Sequence, residues 1–584
     1  MINRNIAYFI TSNSNSSESY IRAKKHFYDL AKEHDLNVTE LSTSIVKLHI
    51  IHENMLTVNK CGQFISFPIG NLGETTQNKD RYLQIRIEKG KVDIHNDFAG
   101  SIPTYFSNRN HLTISNIEPC TMLDSNTRPE DISYENIYGY MRFMHFIWDE
   151  TAYNHIFTML PDSKYEFDIV NLSFKETYLQ SIKVSSKNID LDDRSVANKL
   201  NEINDKLVHE SLSQYEKIIL PLSSGYDSRM ILAACAKDEN LRKKIHCFTY
   251  GSLGSIEVEA ARRLTTKSNV PWKFIDLPCH FLGKNYLKKV HNIFGSSLHM
   301  HGMYQLEFLN EIFKETSLKE NTCLTSGFMT GVPAGQHISV LNIQKDTHYL
   351  TPSVNRFSQS SYWTDSELSE IEIFKDNNYH KTLERRFRKA FDRFDGEYYH
   401  KSIMFDIWTR QRNFISYYPR TLEWSLPVVS PHMNKEYAEF FMSLSYKHLK
   451  DRYAVELMFK YHYPELAKIV SNSNGIKSIN SKNENLIFLA SRIIKKAKLS
   501  RMLPRKYANN GFEFNLTALG YSLKEGVYPL LELDSKLIKI LEGVITEAEL
   551  VNLYIQSING SIVSYEKLIS LQSLALSLKL MESS

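Results

Sequence analysis

IILPLSSGYDSRMILAACAK, residues Ile218–Lys237, opens as a buried apolar strand and continues as a helix. Between the two lies the turn Ser223-Ser224-Gly225-Tyr226-Asp227-Ser228. A strand that passes directly into a helix through small residues is the arrangement that binds an anion. The backbone comes close, successive N–H groups point outward, and the helix N-terminus adds a positive dipole. Ser223, Ser224 and Ser228 add hydroxyl donors, and Leu222, Gly225 and Tyr226 complete the loop. Asp227 would repel a bare phosphate, so its presence implies a divalent cation between carboxylate and phosphate. The plainer alternative is a polar turn with an ordinary helix N-cap.

The neighbouring sequence repeats the alternation. Val196–Tyr215 has helical spacing, Lys244–Gly251 and Trp272–Leu277 read as strands, and the run VEAARRLTTKSNV between them as a helix. Strand and helix alternating at this spacing predict a parallel sheet with covering helices. Beyond about residue 280 the chain reads as mainly helical, apart from a strand at Thr322–Gly327. The first 180 residues read differently. IAYFI, Ile45–Ile51, Gln63–Gly70, Tyr82–Asp97, TYFSN and LTISN are short, β-branched or aromatic, and closely spaced. They predict an antiparallel β-rich unit, with a hairpin turning at Lys89-Gly90. A further strand pair is expected over His155–Tyr178, with Pro161-Asp162-Ser163 in its turn. VSSKNIDLDD, Val184–Asp193, marks the expected boundary between a front domain, 1–185, and a second domain, 190–584.

Composition excludes several classes. Hydrophobic residues at 42% and charged residues at 23% fit a folded chain rather than a disordered one. The balance of 70 basic against 66 acidic residues proposes no nucleic-acid partner. No run of 18 apolar residues offers a membrane span. The six cysteines form no CxxC pair, which argues against a zinc ribbon, a thioredoxin-type site and a sulfur-inserting enzyme. They are also too sparse for a disulfide scaffold, which leads to the expectation of a cytoplasmic protein.

The SSGYDS turn resembles the pyrophosphate-binding loop of the asparagine synthetase family and other ATP pyrophosphatases, usually SGGxDS. Ser224 stands where the first glycine usually sits. Three further segments follow in the family's order. Cys247–Leu277 looks like its second strand–helix–strand unit, so the resemblance assigns Thr249, Tyr250 and Gly251 to the nucleoside and Glu257 to the acidic position that opens the helix. Thr322–His337 is similar to its Gly-rich segment: Ser326 and Gly327 match, while Gly331 and Val332 replace an acidic pair. His448–Val470 is similar to its late helix, with Arg452 nearest the expected lysine and Lys450 as the alternative.

The front domain resembles the family's glutamine amidotransferase domain, an Ntn-hydrolase-like fold. Asp97, Gly100, Pro103 and Tyr105 match its late hairpin. The family's nucleophile is an N-terminal cysteine, and Ile2 stands where it would follow the initiator Met. This front domain is therefore expected not to hydrolyse glutamine.

The resemblance implies a Rossmann-like (HUP-type) second domain and an ATP-dependent, amide-forming ligase. A small-molecule or glycan carboxylate would be activated as an acyl-adenylate, with ATP and Mg2+ as cofactors, and then taken by an amine or ammonia. Asp227, Arg452 and Lys450 are the expected catalytic residues, with Asp227 also the metal ligand. The other expectation, raised by the missing cysteine and the missing acidic pair, is a non-catalytic relative acting as a binding or scaffold subunit. Two segments stand outside this scheme. His299-Met300-His301 is an HxH pair without a recognisable third ligand. The basic segment 490–506 suits either an anionic membrane surface or a solvated helix face. The 12% aromatic content gathers in Ile137–Trp148, Ser358–Asp365 and Phe414–Trp424, as core or as substrate cleft.

Overall fold

The computed structural model describes residues 4–12, 17–62, 64–70, 81–250, 256–275, 284–297, 312–313, 321–338, 363–375, 378–469, 544–558 and 562–582. The HxH pair, the basic segment 490–506 and Gly251 lie outside these residues.

Among the described residues, twelve short strands form the front of the chain. They are β1 (Asn5–Thr11), β2 (Asn37–Ser42), β3 (Lys47–His52), β4 (Asn59–Cys61), β5 (Phe64–Gly70) and β6 (Tyr82–Glu88), then β7 (Lys91–Asn96), β8 (Tyr105–Ser107), β9 (Thr113–Ser115), β10 (Phe157–Thr158), β11 (Ser163–Asp168) and β12 (Ser173–Tyr178). They make two antiparallel sheets, ordered β10-β8-β9-β1-β3-β2 and β12-β11-β7-β6-β5-β4. Alternation along each strand joins the sheets. Tyr8, Ile10, Leu48 and Ile50 of the first share a core with Ile65, Phe67, Ile85 and Ile94 of the second. Ala7, Phe9 and Ile51 point the other way, onto Ala23, Phe27 and Leu30 of the helix Glu18–Glu33.

That helix lies in a region read as strands. Its signal is present in the sequence: Ser17 caps the first turn, and Tyr20, Ala23, Phe27, Leu30 and Ala31 recur at helical spacing. The hairpin turn at Lys89-Gly90 is as expected, both residues having positive φ. The expectation for Pro161–Ser163 is corrected. β11 and β12 turn back at residues 169–172, whereas Pro161 and Asp162 carry the chain from one sheet to the other.

The second sheet system is parallel. β13 (Lys217–Pro221), β14 (Ile245–Tyr250), β15 (Trp272–Ile275), β16 (Thr322–Thr325) and β17 (Val428–Val429) lie in the order β15-β14-β13-β16-β17. All four pairings are parallel. The chain moves outward from β13 on one side through β14 and β15. It then returns to β13's other side with β16. The strand order therefore reverses at β13, and in open parallel sheets ligands bind outside the carboxyl ends at that reversal. Ile218, Ile219, Leu220, Cys247 and Cys323 bury the sheet.

The segment Tyr398–Glu423 joins the two systems. It contains a helix, Tyr398–Asp406, a nine-residue π-helix, Ile407–Ile415, and a second helix, Tyr417–Glu423. Trp408 Nε1 donates to Phe98 O at 3.1 Å, Tyr105 and Tyr417 share a hydroxyl contact at 3.3 Å, and Arg81 pairs with Glu423. The described aromatics of 137–148 and 414–424 are therefore mostly core at this seam. Among the described residues, no helix is long and apolar enough to cross a membrane.

Candidate functional site

The turn 223–228 sits at the carboxyl end of β13, where the strand order reverses. Leu222 N–H continues the strand by donating to Phe248 O at 2.8 Å. The helix Tyr226–Lys237 starts at Gly225, and no side chain caps it. Its first turn thus keeps the donors and dipole that suit an anion. The loop is held from within. Ser223 N–H donates to Ser228 Oγ at 3.1 Å, the two hydroxyls meet at 3.0 Å, and Gly225 N–H donates to Ser223 Oγ at 3.2 Å.

Glu257 reaches this loop from the first turn of the helix Ile256–Ser268. It accepts from Ser224 N–H at 3.0 Å and from the Ser224 hydroxyl. An extra hydroxyl at the usual glycine position thus has a partner in the acidic residue 33 positions later.

Arg229, unremarked in the sequence, holds the loop from below. Its guanidinium donates to Ser224 O at 2.6 Å, Leu466 O at 3.1 Å and Ile469 O at 3.0 Å. Burial lowers its pKa to about 10, yet it remains a cation at neutral pH.

Asp227 is crowded by protein, while 37% of its side chain stays open, as expected for a carboxylate on a cleft wall. Desolvation raises its pKa and the Arg452 charge opposes that rise. Arg452 Nη1 lies 3.4 Å from Asp227 Oδ1, and its guanidinium stands 5.2 Å from the Tyr226 ring centroid. Tyr226 in turn stacks on Phe459 at 5.5 Å. Lys450, on the same turn, is exposed, so of the two expected cations Arg452 is the one in contact with Asp227.

An unusual backbone aims Arg452. Asp451 and Arg452 both have positive φ, +57° and +62°, which is uncommon outside glycine and asparagine. The turn is fastened by Asp193, which accepts from Lys447 at 2.7 Å, His448 at 3.2 Å and Tyr453 at 2.8 Å. Those bonds, Lys447 first, hold the Asp193 pKa down at about 2.

The third wall is the segment 326–338. Ser326 N–H donates to Val429 O at 2.8 Å, which ties it to β17. A Cβ on Gly327 would lie 2.9 Å from Asp227 Cβ, so glycine lets this wall close on the carboxylate. A Cβ on Gly331 would lie 3.0 Å from Asp227 Oδ1 and 2.2 Å from Gln336 Oε1. Gly335, at φ +88°, abuts Leu449 so closely that a Cβ would lie 2.1 Å from its carbonyl oxygen. Thr330 anchors the segment through His432 at 2.7 Å and Tyr437 at 2.8 Å.

Ser223–Ser228, Glu257, Ser326, Gly327 and Arg452 are thus brought together around Asp227. Thr249 is placed differently. Its hydroxyl donates to Leu222 O at 2.8 Å and accepts from Trp272 Nε1 at 2.9 Å, so it supports the loop from behind. Tyr250, half-buried, ends β14 on the same edge of the sheet. Asp193, Arg229 and Gly335 escaped sequence reading because each acts on a residue far away in the chain.

For magnesium the donors are few. Among the described residues, no three His, Cys, Asp or Glu side chains gather to hold a metal ion. Mg2+ is commonly held by one or two carboxylates together with substrate phosphates and waters. Asp227 fits that role when the phosphates supply the remaining oxygens.

The chain matches no protein-family model and no curated protein. Among solved structures it is similar to the NH3-dependent NAD synthetase from Campylobacter jejuni subsp. jejuni NCTC 11168 in complex with the nitrate ion. The identity is 14% and the TM-score 0.19, over 36% of this chain and 92% of that one. A likeness so remote assigns no chemistry to this site.

Proposed function

We propose that the chain is an ATP-dependent, amide-forming ligase that activates a carboxylate as its adenylate and releases pyrophosphate. The observation that carries this reading is the meeting of an anion-binding loop, an open carboxylate and a buried arginine at the strand-order reversal of a parallel sheet. Ser223–Ser228 would cradle the β- and γ-phosphates, and Arg452 would stabilise charge on the departing pyrophosphate. Asp227 would face the cation that accompanies ATP, whose chemistry is neutralising phosphate charge. Ser326 and Gly327 would border the acyl-adenylate, with Tyr250 toward the nucleoside.

A carboxylate needs such activation because it is a poor electrophile. The site's contribution is then positioning and fixed charge. The carbon–nitrogen bond would form when an amine or ammonia attacks the activated carbon. Magnesium, the asparagine-synthetase-like reaction and a cytoplasmic setting belong to this same proposal.

The test is pyrophosphate release from MgATP across a panel of small-molecule and glycan carboxylates, with hydroxylamine as acceptor and calorimetry of MgATP alongside. Acid-dependent release supports the ligase. Binding without release under any acid favours the non-catalytic relative. Absence of binding removes both nucleotide readings.

A further inference from the structure

We infer that Glu257 is an autoinhibitory occupant of the phosphate loop: its carboxylate takes the Ser224 donors that a nucleotide phosphate would use, and swings out before the phosphate enters. The inference rests on the ligase reading and describes how that same site is regulated.

The contact has the form of a bound anion. Glu257 Oε1 accepts from Ser224 N–H at 3.0 Å, and Oε2 accepts from the Ser224 hydroxyl. Two oxygens of one charged group grip an N–H and an O–H of the loop, as two oxygens of a phosphate do. The neighbouring amides are used differently. Ser223 N–H donates to Ser228 Oγ at 3.1 Å and Gly225 N–H to Ser223 Oγ at 3.2 Å, both uncharged groups of the loop itself. At Ser224 the acceptor is a negative charge brought in by another helix, Ile256–Ser268. Glycine at this position would offer the N–H alone. The serine hydroxyl adds the second bond, so the grip depends on the substitution that separates this loop from SGGxDS.

One partner is fixed and the other can move. Ser224 is fully buried, and its carbonyl accepts at 2.6 Å from Arg229, which also holds the Leu466 and Ile469 carbonyls. The helix Ile256–Ser268 is seated through buried Val258, Ala261 and Leu264. The Glu257 side chain is only half-buried. Rotation about its own bonds, rather than movement of the loop or the helix, therefore opens the site. While in place, the carboxylate adds a negative charge to the loop that also carries Asp227, so it repels phosphate as well as blocking it. Apparent affinity is then the intrinsic affinity scaled by the open fraction. After pyrophosphate departs, the same carboxylate re-enters and opposes rebinding.

The test is calorimetric titration of the full chain with MgATP and with inorganic pyrophosphate, comparing wild type, Glu257→Gln, Glu257→Ala and Ser224→Gly. Glu257→Gln keeps an acceptor for Ser224 N–H and still occupies the loop, whereas Glu257→Ala vacates it. For both ligands Glu257→Ala should bind more tightly than Glu257→Gln, and Glu257→Gln more tightly than wild type. Glu257→Ala should exceed wild type by about tenfold or more, the factor released with one charge-assisted hydrogen bond. Ser224→Gly removes the hydroxyl bond alone and should gain about threefold. Equal gains for Glu257→Gln and Glu257→Ala mean relieved repulsion without occupancy and overturn the inference. Weaker binding by Glu257→Ala or Ser224→Gly overturns it as well, since the contact would then support the loop. If Glu257→Ala does not fold, Ser224→Gly decides by the same signs. MgATP binding that is equal in wild type and all variants overturns the lock and leaves the ligase reading standing. Absence of MgATP binding in wild type and variants alike removes the ligase reading, and the lock with it.

Discussion

Gly335→Ala probes the packing that aims Arg452. At Gly335 the φ of +88° strains any L side chain, at about 1–2 kcal/mol. The added Cβ would also stand 2.1 Å from Leu449 O and 2.8 Å from its carbonyl carbon. These are backbone atoms, so one wall must move, and overpacking of this kind costs about 1–3 kcal/mol. The total of about 2–5 kcal/mol lowers the melting temperature by roughly 4–20 °C, at roughly 2–4 °C per kcal/mol. Leu449 precedes the Asp451–Arg452 turn, so the same shift draws Arg452 from Asp227 and weakens MgATP binding. Gly331→Ala is the control. Its nearest clash, at 2.2 Å, is with the end of the Gln336 side chain, which can swing away, and the cost stays below about 1 kcal/mol. Differential scanning calorimetry and MgATP titration on both variants read these effects. Equal melting shifts for the two, or a Gly335→Ala shift under about 2 °C, would refute the reasoning.

Other perturbations separate support from chemistry. Arg229→Leu leaves the carbonyls of Ser224, Leu466 and Ile469 without their donor, and should cost about 2–4 kcal/mol in thermal or urea unfolding. An unchanged midpoint contradicts the anchoring role. Glu257→Gln keeps an acceptor for Ser224 but removes a negative charge beside the phosphate loop; MgATP should bind about fivefold more tightly, from roughly 1 kcal/mol of relieved repulsion. Weaker binding would make the carboxylate charge itself a requirement. For Asp193 the folded pKa is depressed, so its contribution is complete above its ordinary carboxylate pKa, near 4, and fades as pH falls through about 2. With solvent screening it amounts to about 1 kcal/mol. Asp193→Asn should therefore be less stable than wild type at pH 6 and converge with it near pH 2; a gap independent of pH contradicts the ionic clamp.

What could be read from sequence follows from how local each feature is. The β13–turn–helix unit was legible because Ile218–Leu220, the SSGYDS turn and the helix are contiguous, so periodicity and small residues suffice. The partnership of Glu257 with Ser224 was half legible: the acidic position was expected, whereas its contact with the substituted serine depends on two loops meeting. The helix Glu18–Glu33 was passed over although Ser17 and its apolar spacing announce it, because the surrounding strands set the reading. Asp193 beneath Lys447, His448 and Tyr453, and Gly335 against Leu449, join residues as many as 260 positions apart. No local pattern encodes such pairs. The positive φ of Asp451 and Arg452 was equally hidden, since neither residue is a type that ordinarily takes it.

MgATP titration of the full-length chain by calorimetry, wild type against Arg452→Ala, tests the ligase site most directly. The wild type should bind with a Kd on the order of 1 mM or tighter. The variant should lose about tenfold or more, because Asp227 then faces the phosphates without its cation. Absence of wild-type binding, or equal affinity in the two, would contradict a nucleotide site built on the Ser223–Ser228 loop, Asp227 and Arg452.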